Sequence, residues 1–201
     1  MQLPVPGATV PVSVRPAPDG PASRTLDGVR IGLLGVVTVW PGGSDGDGGD
    51  DDRGAGNRGA GAGGPSNGAS APAGTLLRGL LARLALDVGR PVAVSTLVDD
   101  LWGSAPPDGA SAALQTLVSR LRRALGTELV RFEPAGYRLA LAPGEVDAAR
   151  FEALTTAARQ TEATDPARAR MLLAQAAALW RGPALADLGE LPFTPTAADR
   201  L

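Results

Sequence analysis

Asp108-Gly109-Ala110-Ser111-Ala112-Ala113-Leu114-Gln115-Thr116-Leu117-Val118-Ser119-Arg120-Leu121-Arg122-Arg123-Ala124-Leu125 is the stretch whose reading decides the fold. At 3.6 residues per turn it gathers Leu114, Leu117, Val118, Leu121, Ala124 and Leu125 into one apolar stripe, which predicts a helix with that side against a core. The other side carries Ala112, Gln115, Thr116, Ser119, Arg120 and Arg123, with Arg122 at its margin, and no acid falls between Ser111 and Gly126. Small residues permit close approach, amides and hydroxyls can meet base edges, and guanidinium groups fork onto phosphate or guanine. A helix that enters the major groove of DNA needs such a face. A surface helix with a merely solvated polar side would look similar, so the flanking sequence has to discriminate.

Immediately downstream, Leu129-Val130-Arg131-Phe132 and Tyr137-Arg138-Leu139-Ala140-Leu141 flank Glu133-Pro134-Ala135-Gly136, which predicts a β-hairpin with arginines on both strands. Upstream, Gly103 to Asp108 is a turn, preceded by a short helix over Thr96 to Trp102 with Ser95 as its expected cap. Pro91 to Val94 suits one short strand. Leu76, Leu77, Leu80, Leu81, Leu84 and Leu86 make a strongly apolar helix of about three turns, the expected centre of the core. Two helices, a turn, a third helix with a bare polar face and then a hairpin is the order of a winged helix-turn-helix. An amphipathic surface helix by itself does not predict that order.

Further out, Val29 to Trp40 is dense in branched apolar residues with Gly35 near its middle, which predicts an opening hairpin. Residues 1–28 are proline-rich without a period and are expected to form a disordered leader. Residues 41–74 are mostly Gly, Ala, Ser and Asp, with Asp45, Asp47, Asp50, Asp51 and Asp52 clustered, and are expected to be a disordered insertion in a domain spanning 29–142. Beyond Pro143, Ala148 to Thr161 is one helix, and Asp165 with Pro166 opens a second whose stripe is Ala169, Leu172, Leu173, Ala176 and Trp180. That pair has the length of a tetratricopeptide unit and cannot bury its own face, so it must dock on the first domain or on a partner. The fold class is therefore α+β: a winged helix-turn-helix, then an all-α tetratricopeptide-like segment over 145–201.

Composition limits the chemistry. The chain has 201 residues and a formal net charge of -2, so contact with a polyanion has to come from local charge. All nineteen basic residues are arginine, and Asp108 to Leu141 holds Arg120, Arg122, Arg123, Arg131 and Arg138 against Asp108, Glu128 and Glu133. Cysteine and histidine are absent, which removes disulfides, thiolate and imidazole metal ligands, and every nucleophile–histidine pair. No catalytic residues, cofactor or metal are expected, and the protein is not expected to be an enzyme. No apolar run reaches the roughly 18 residues of a membrane span, and the prolines at 4, 6 and 11 do not suit a signal peptide. A cytoplasmic protein without membrane contact is expected.

Seven stretches in register resemble the Streptomyces antibiotic regulatory protein family, whose members join an OmpR-like winged helix, an output-domain fold of phosphorelays, to a bacterial transcriptional activator domain. They are Arg30-Ile31-Gly32-Leu33-Leu34-Gly35, Arg78-Gly79-Leu80-Leu81-Ala82, Leu97-Val98-Asp99-Asp100-Leu101-Trp102-Gly103, Ala113 through Gly126, Gly136-Tyr137-Arg138-Leu139, Val146-Asp147-Ala148-Ala149-Arg150-Phe151 and Leu179-Trp180-Arg181-Gly182-Pro183-Ala184-Leu185. The resemblance implies that Leu114 to Leu125 is the recognition helix, that Arg131 to Arg138 belongs to the wing, and that the Gly103 to Asp108 turn meets RNA polymerase with its sigma factor. It also implies binding to direct repeats in a promoter as a tandem pair, a homodimer on DNA, and control of antibiotic biosynthesis. Residues 41–74 stand where family members run through further strands, which puts their four-stranded sheet in doubt, and the activator region is shorter than the family's. The DNA-binding set expected from both lines is Gln115, Thr116, Ser119 and Arg120 toward bases, with Arg78, Arg122, Arg123, Arg131 and Arg138 toward phosphates. The alternative is a shortened, DNA-independent interaction regulator that acts through its helical segment.

Overall fold

The computed structural model describes residues 28–41, 70–189 and 191–201. The expected leader and most of the expected insertion lie outside the described residues.

Leucine-rich α1 (Thr75–Leu86) is the centre of the core: Leu80, Leu81, Ala82 and Leu84 are fully buried. Against it pack α2 (Val94–Trp102) and α3 (Ala110–Leu125). The second helix starts one residue before the expected cap, with Ala93 at its N-cap and no side-chain capping bond. β3 (Pro91–Val92), β4 (Val130–Glu133) and β5 (Gly136–Leu139) form an antiparallel sheet in the order β3-β5-β4, with Val130 opposite Leu139 and Phe132 opposite Tyr137. Gly136 has φ 135°, and a Cβ there would overlap the Val92 carbonyl, so only glycine lets β3 approach the hairpin.

At the other end of the core, β1 (Arg30–Gly32) and β2 (Thr38–Trp40) form the opening hairpin, with Ile31 opposite Val39. Val146 bridges Ile31 on one side, and Ser70 bridges Val39 on the other with both backbone bonds made. Among the described residues this sheet has two strands with one isolated bridge on either side, and the last part of the expected insertion, Ser70 to Gly74, belongs to the folded unit.

The helical pair is α4 (Asp147–Thr161) and α5 (Pro166–Ala177), and the Asp165 carboxylate accepts from the Arg168 N–H at 2.9 Å as its cap. Ala169 and Ala176 face α4, whereas Leu173 is 49% exposed and does not belong to the buried stripe. Beyond the pair the chain returns to the first domain: Leu185, Leu188, Leu191 and Phe193 join the same core as α1, and α6 (Thr194–Arg200) follows them. A Cβ at residue 79 of α1 would strike Leu191, so Gly79 leaves the space that this returning segment fills.

The turn Leu33–Val37 is held almost wholly by this second unit. The Asp147 carboxylate accepts the Leu33 and Leu34 N–H groups at 2.7 and 3.1 Å, and Asp187 accepts the Val37 N–H at 2.7 Å. In return the Leu33 and Leu34 carbonyls accept from Leu185 and Arg181 N–H. The Arg181 guanidinium reaches Asp147 at 2.9 Å and lies over the Trp40 ring, 4.9 Å from its centroid. Gly32 has no side chain because a Cβ would overlap that guanidinium. Asp147→Ala leaves two half-buried N–H groups and one guanidinium without their acceptor, so we expect unfolding free energy to fall by about 2–3 kcal/mol in urea titration, in one transition for both units.

A second ion network sits where α1 ends. Arg83 is paired with both Asp87 and Asp100, and Arg90 reaches Asp87 at 2.7 Å. Burial works against the Asp87 carboxylate, but its hydrogen bond and attraction to Arg83, with Arg90 and Arg200 beyond, outweigh this and hold its pKa below the ordinary 3.8. A depressed carboxyl pKa stabilises the fold above the unfolded value and ceases to as pH falls through the folded one. Asp87→Asn is therefore expected to lower the thermal midpoint at pH 7, and the gap to the wild type should close below about pH 4.

Candidate nucleic-acid interface

The side of α3 that sequence assigns to the core is buried at Leu114, Leu117, Val118 and Leu121. Ala124 is exposed and Leu125 half-buried, because the stripe runs past the core at its last turn, where both line an apolar cleft with Val29, Val39 and Ser70 to Ala73. Since the apolar side is fixed by α1 and α2, the opposite side faces outward: Gln115, Thr116, Ser119, Arg120 and Arg123 are all exposed. Neither Arg120 nor Arg123 is in an ion pair among the described residues. The Thr116 and Ser119 hydroxyls donate back to the Ala112 and Gln115 carbonyls at 3.0 and 2.9 Å. Their free lone pairs point them to the role of acceptors, suited to the amino groups of cytosine or adenine.

The remaining expected contacts divide by their partners. Arg122 is half-buried, and its Nε donates to the Val130 carbonyl at 2.8 Å, which ties the recognition-type helix to the edge strand of the hairpin. Through Nε it positions the wing. Arg131 and Arg138 are directly opposite each other across the strands, a like-charge pair offset by Glu128, 3.5 Å from Arg131, and by Glu133, which takes the Arg138 Nε–H. Arg131 keeps 42% of its side chain exposed. Arg78 is placed elsewhere: on α1 its Nε lies 2.7 Å from the Asp187 carboxylate, and it faces the second unit. No sequence pattern indicated that Asp187, 109 positions later, would come back to meet the guanidinium expected to face phosphate.

One exposed residue beside this face went unremarked in the sequence. Phe132 of β4 is 63% exposed. The alternation of the strand puts it on the core side with Val130, but the hairpin projects beyond the core, and a period of two says nothing about where a sheet outruns its support. Trp102 and Tyr137 are packed against or within the core.

Comparison with known proteins accords with this geometry. Residues 75–139 match the model of the C-terminal domain of transcriptional regulatory proteins, and residues 146–201 match the bacterial transcriptional activator domain. The chain belongs to the Streptomyces antibiotic regulatory protein family. It is similar to the transcriptional regulator RedD of Streptomyces coelicolor, 34% identical over 92% of this chain and 48% of that protein. It is also similar to the regulatory protein AfsR of the same organism, 35% identical over 97% of this chain and 17% of AfsR. The solved structure of Mycobacterium tuberculosis EmbR in complex with a low affinity phosphopeptide superposes with a TM-score of 0.68 at 28% identity, over 86% of this chain and 41% of that one. The chain thus spans about half the length of RedD and less of the others. RedD and AfsR are named as regulators, and this chain has a winged helix-turn-helix followed by a helical segment. No helix among the described residues is long and apolar enough to cross a membrane.

The tie between α3 and the wing can be measured. Arg122→Ala should speed amide exchange in β4 and lower stability by about 1 kcal/mol, the value of one hydrogen bond from a charged donor less solvent compensation.

Proposed function

We propose that this chain is a sequence-specific DNA-binding transcriptional activator, binding promoter direct repeats as a tandem pair and recruiting RNA polymerase through the Gly103 to Asp108 turn and its sigma factor contacts. The observation that carries it is the outward face of α3: amide, hydroxyls and two guanidinium groups unpaired among the described residues, on a helix without an acid, backed by buried Leu114, Leu117, Val118 and Leu121. Gln115, Thr116, Ser119 and Arg120 read base edges. Arg123 and Arg131, with Arg138 at the wing and Arg122 holding the wing in register, neutralise phosphate. A biosynthetic gene cluster is the target class, in keeping with the family. Binding is the whole mechanism: phosphate contacts dock the helix, base edges select the site, and the bound protein presents the Gly103 turn, exposed from Ser104 to Gly109, to polymerase.

A second reading, partner capture without DNA through the helical segment, is favoured by one observation: Met171 and Leu173 of α5 are 62% and 49% exposed. It requires activity that survives loss of Arg120 and Arg123.

With about four arginines displacing counterions, log affinity should fall against log salt with a slope near -3 to -4. Arg123→Ala should reduce that slope by about one and weaken all duplexes alike, whereas Gln115→Ala should change the preferred sequence recovered from a random duplex pool. Affinity indifferent to salt and to both substitutions would remove DNA as the ligand.

A further inference from the structure

Where α3 ends, an apolar cleft of about 340 Å³ opens between its last turn and the opening hairpin. Val39, Pro72 and Leu125 line it, and Pro41, Ala73 and Ala124 stand exposed around it. None of the lining residues is charged. The stripe of α3 continues past the core into this cleft, where Ala124 is left exposed.

The cleft suits side chains better than a further strand. The Val39 N–H and carbonyl are both engaged by Ser70, at 2.7 and 2.9 Å, and Pro41 and Pro72 have no N–H to donate. Its occupant should therefore be apolar, uncharged and independent of a backbone ladder. Two parts of the chain that lie outside the described residues join its walls. Residues 42–69 do so at Pro41 and Ser70, but they hold no apolar side chain larger than alanine or proline. Residues 1–27 do so through Gly28 to Val29, and they hold Leu3, Val5, Val10, Val12 and Val14 with no charged side chain before Arg15.

In an extended chain Val10, Val12 and Val14 fall on one side, with Pro11 and Ser13 between them. Proline is a poor member of a strand interior, which matches a cleft that offers no ladder. The 15 residues from Val14 to Val29 reach up to about 50 Å, so the valines can return to the wall from which they are tethered. Such a tether holds the segment at about millimolar effective concentration. A second copy or a separate protein would also have to offset its lost translational and rotational freedom.

We propose that Val10-Pro11-Val12-Ser13-Val14 docks in this cleft of its own chain, its valines covering Val39, Pro72 and Leu125. Docked there, the segment braces the last turn of α3 against the opening hairpin, next to Arg123. The contact does not depend on DNA.

The chain has no cysteine, so a disulfide trap can be placed in it without a competing thiol. Ser13→Cys with Ala73→Cys keeps all three valines and sets one thiol on the segment and the other on the exposed rim of the cleft. In a glutathione redox buffer the bond within one chain should form at least about tenfold faster than in the same pair carrying Val10→Asp and Val14→Asp. That second chain has the same tether but brings carboxylates to a cleft with no partner for them. Ala124→Glu, added to the original pair, should slow trapping to the same low rate from the other side of the contact. Ala124 is exposed when the cleft is open, so the circular dichroism of this variant should equal that of the wild type. Equal trapping rates in all three chains overturn the docking, since the tether alone then accounts for the bond. A disulfide formed only between chains, seen as a dimer whose fraction rises with protein concentration, overturns it too and gives the cleft to a second copy.

Discussion

The carboxylates of Asp147 and Asp187 hold the rest of the structure to its shape. A turn such as Leu33 to Val37, with backbone donors half out of solvent, must find acceptors, and in a three-residue hairpin the strands cannot supply them. Here they come from another part of the chain: Asp147 at the first turn of α4 and Asp187 beyond α5. The helix dipole at the start of α4 favours the charge that Asp147 carries. Removing either acid strands donors that no neighbour can satisfy, so the two units share one stability instead of being joined by a free linker. The continuous core, running from Ile31 through α1 to Phe193, is the apolar counterpart of the same constraint.

Acids also decide which arginines are left for anything else. Arg78, Arg83 and Arg181 are engaged by Asp187, by Asp87 with Asp100, and by Asp147, each with less than a third of its side chain exposed. Arg138 is bound to Glu133 within the wing. α3 has no acid of its own, and Arg120 and Arg123 remain unpaired among the described residues. In a chain of net charge -2, an anion meets uncompensated positive charge where the acids have been placed elsewhere. The selectivity of the surface lies as much in the distribution of Asp and Glu as in that of Arg.

What could be read from the sequence follows the range of the interactions. Local periodicity placed α1, α3, the wing hairpin, the opening hairpin and the Asp165 cap, because 3.6 and 2 residue periods and turn chemistry operate over a few positions. It also separated the inward from the outward side of α3, and Gln115, Thr116, Ser119, Arg120 and Arg123 are exposed as that pattern requires. The pairing of Arg78 with Asp187 was not legible, and neither was the grip on Leu33 and Leu34, since nothing in a one-dimensional pattern states which distant segments meet. Leu173 fails for a related reason. The stripe on α5 is wider than the surface α4 offers, so Leu173 is left outside, and Trp180, beyond the end of the helix at Ala177, is 37% exposed.

The position of Arg78 beside Asp187 bears on how the helical segment relates to the polar face of α3. Arg78 lies on α1, the helix against which α3 packs, and its partner Asp187 also accepts the Val37 N–H. One carboxylate therefore joins the opening hairpin, the helix behind α3 and the chain returning from the helical pair. Leu191 fills the space above Gly79 on the same helix and approaches Leu101 of α2 through it. The second unit thus buttresses the two helices that form the seat of α3, and the angle at which the polar face is presented depends on residues far from it. In packed cores such supports have discrete arrangements rather than graded ones. An influence of the helical segment on α3 has two routes, through α1, where the Arg78–Asp187 pair and Leu191 meet it, and through α2 at Leu101.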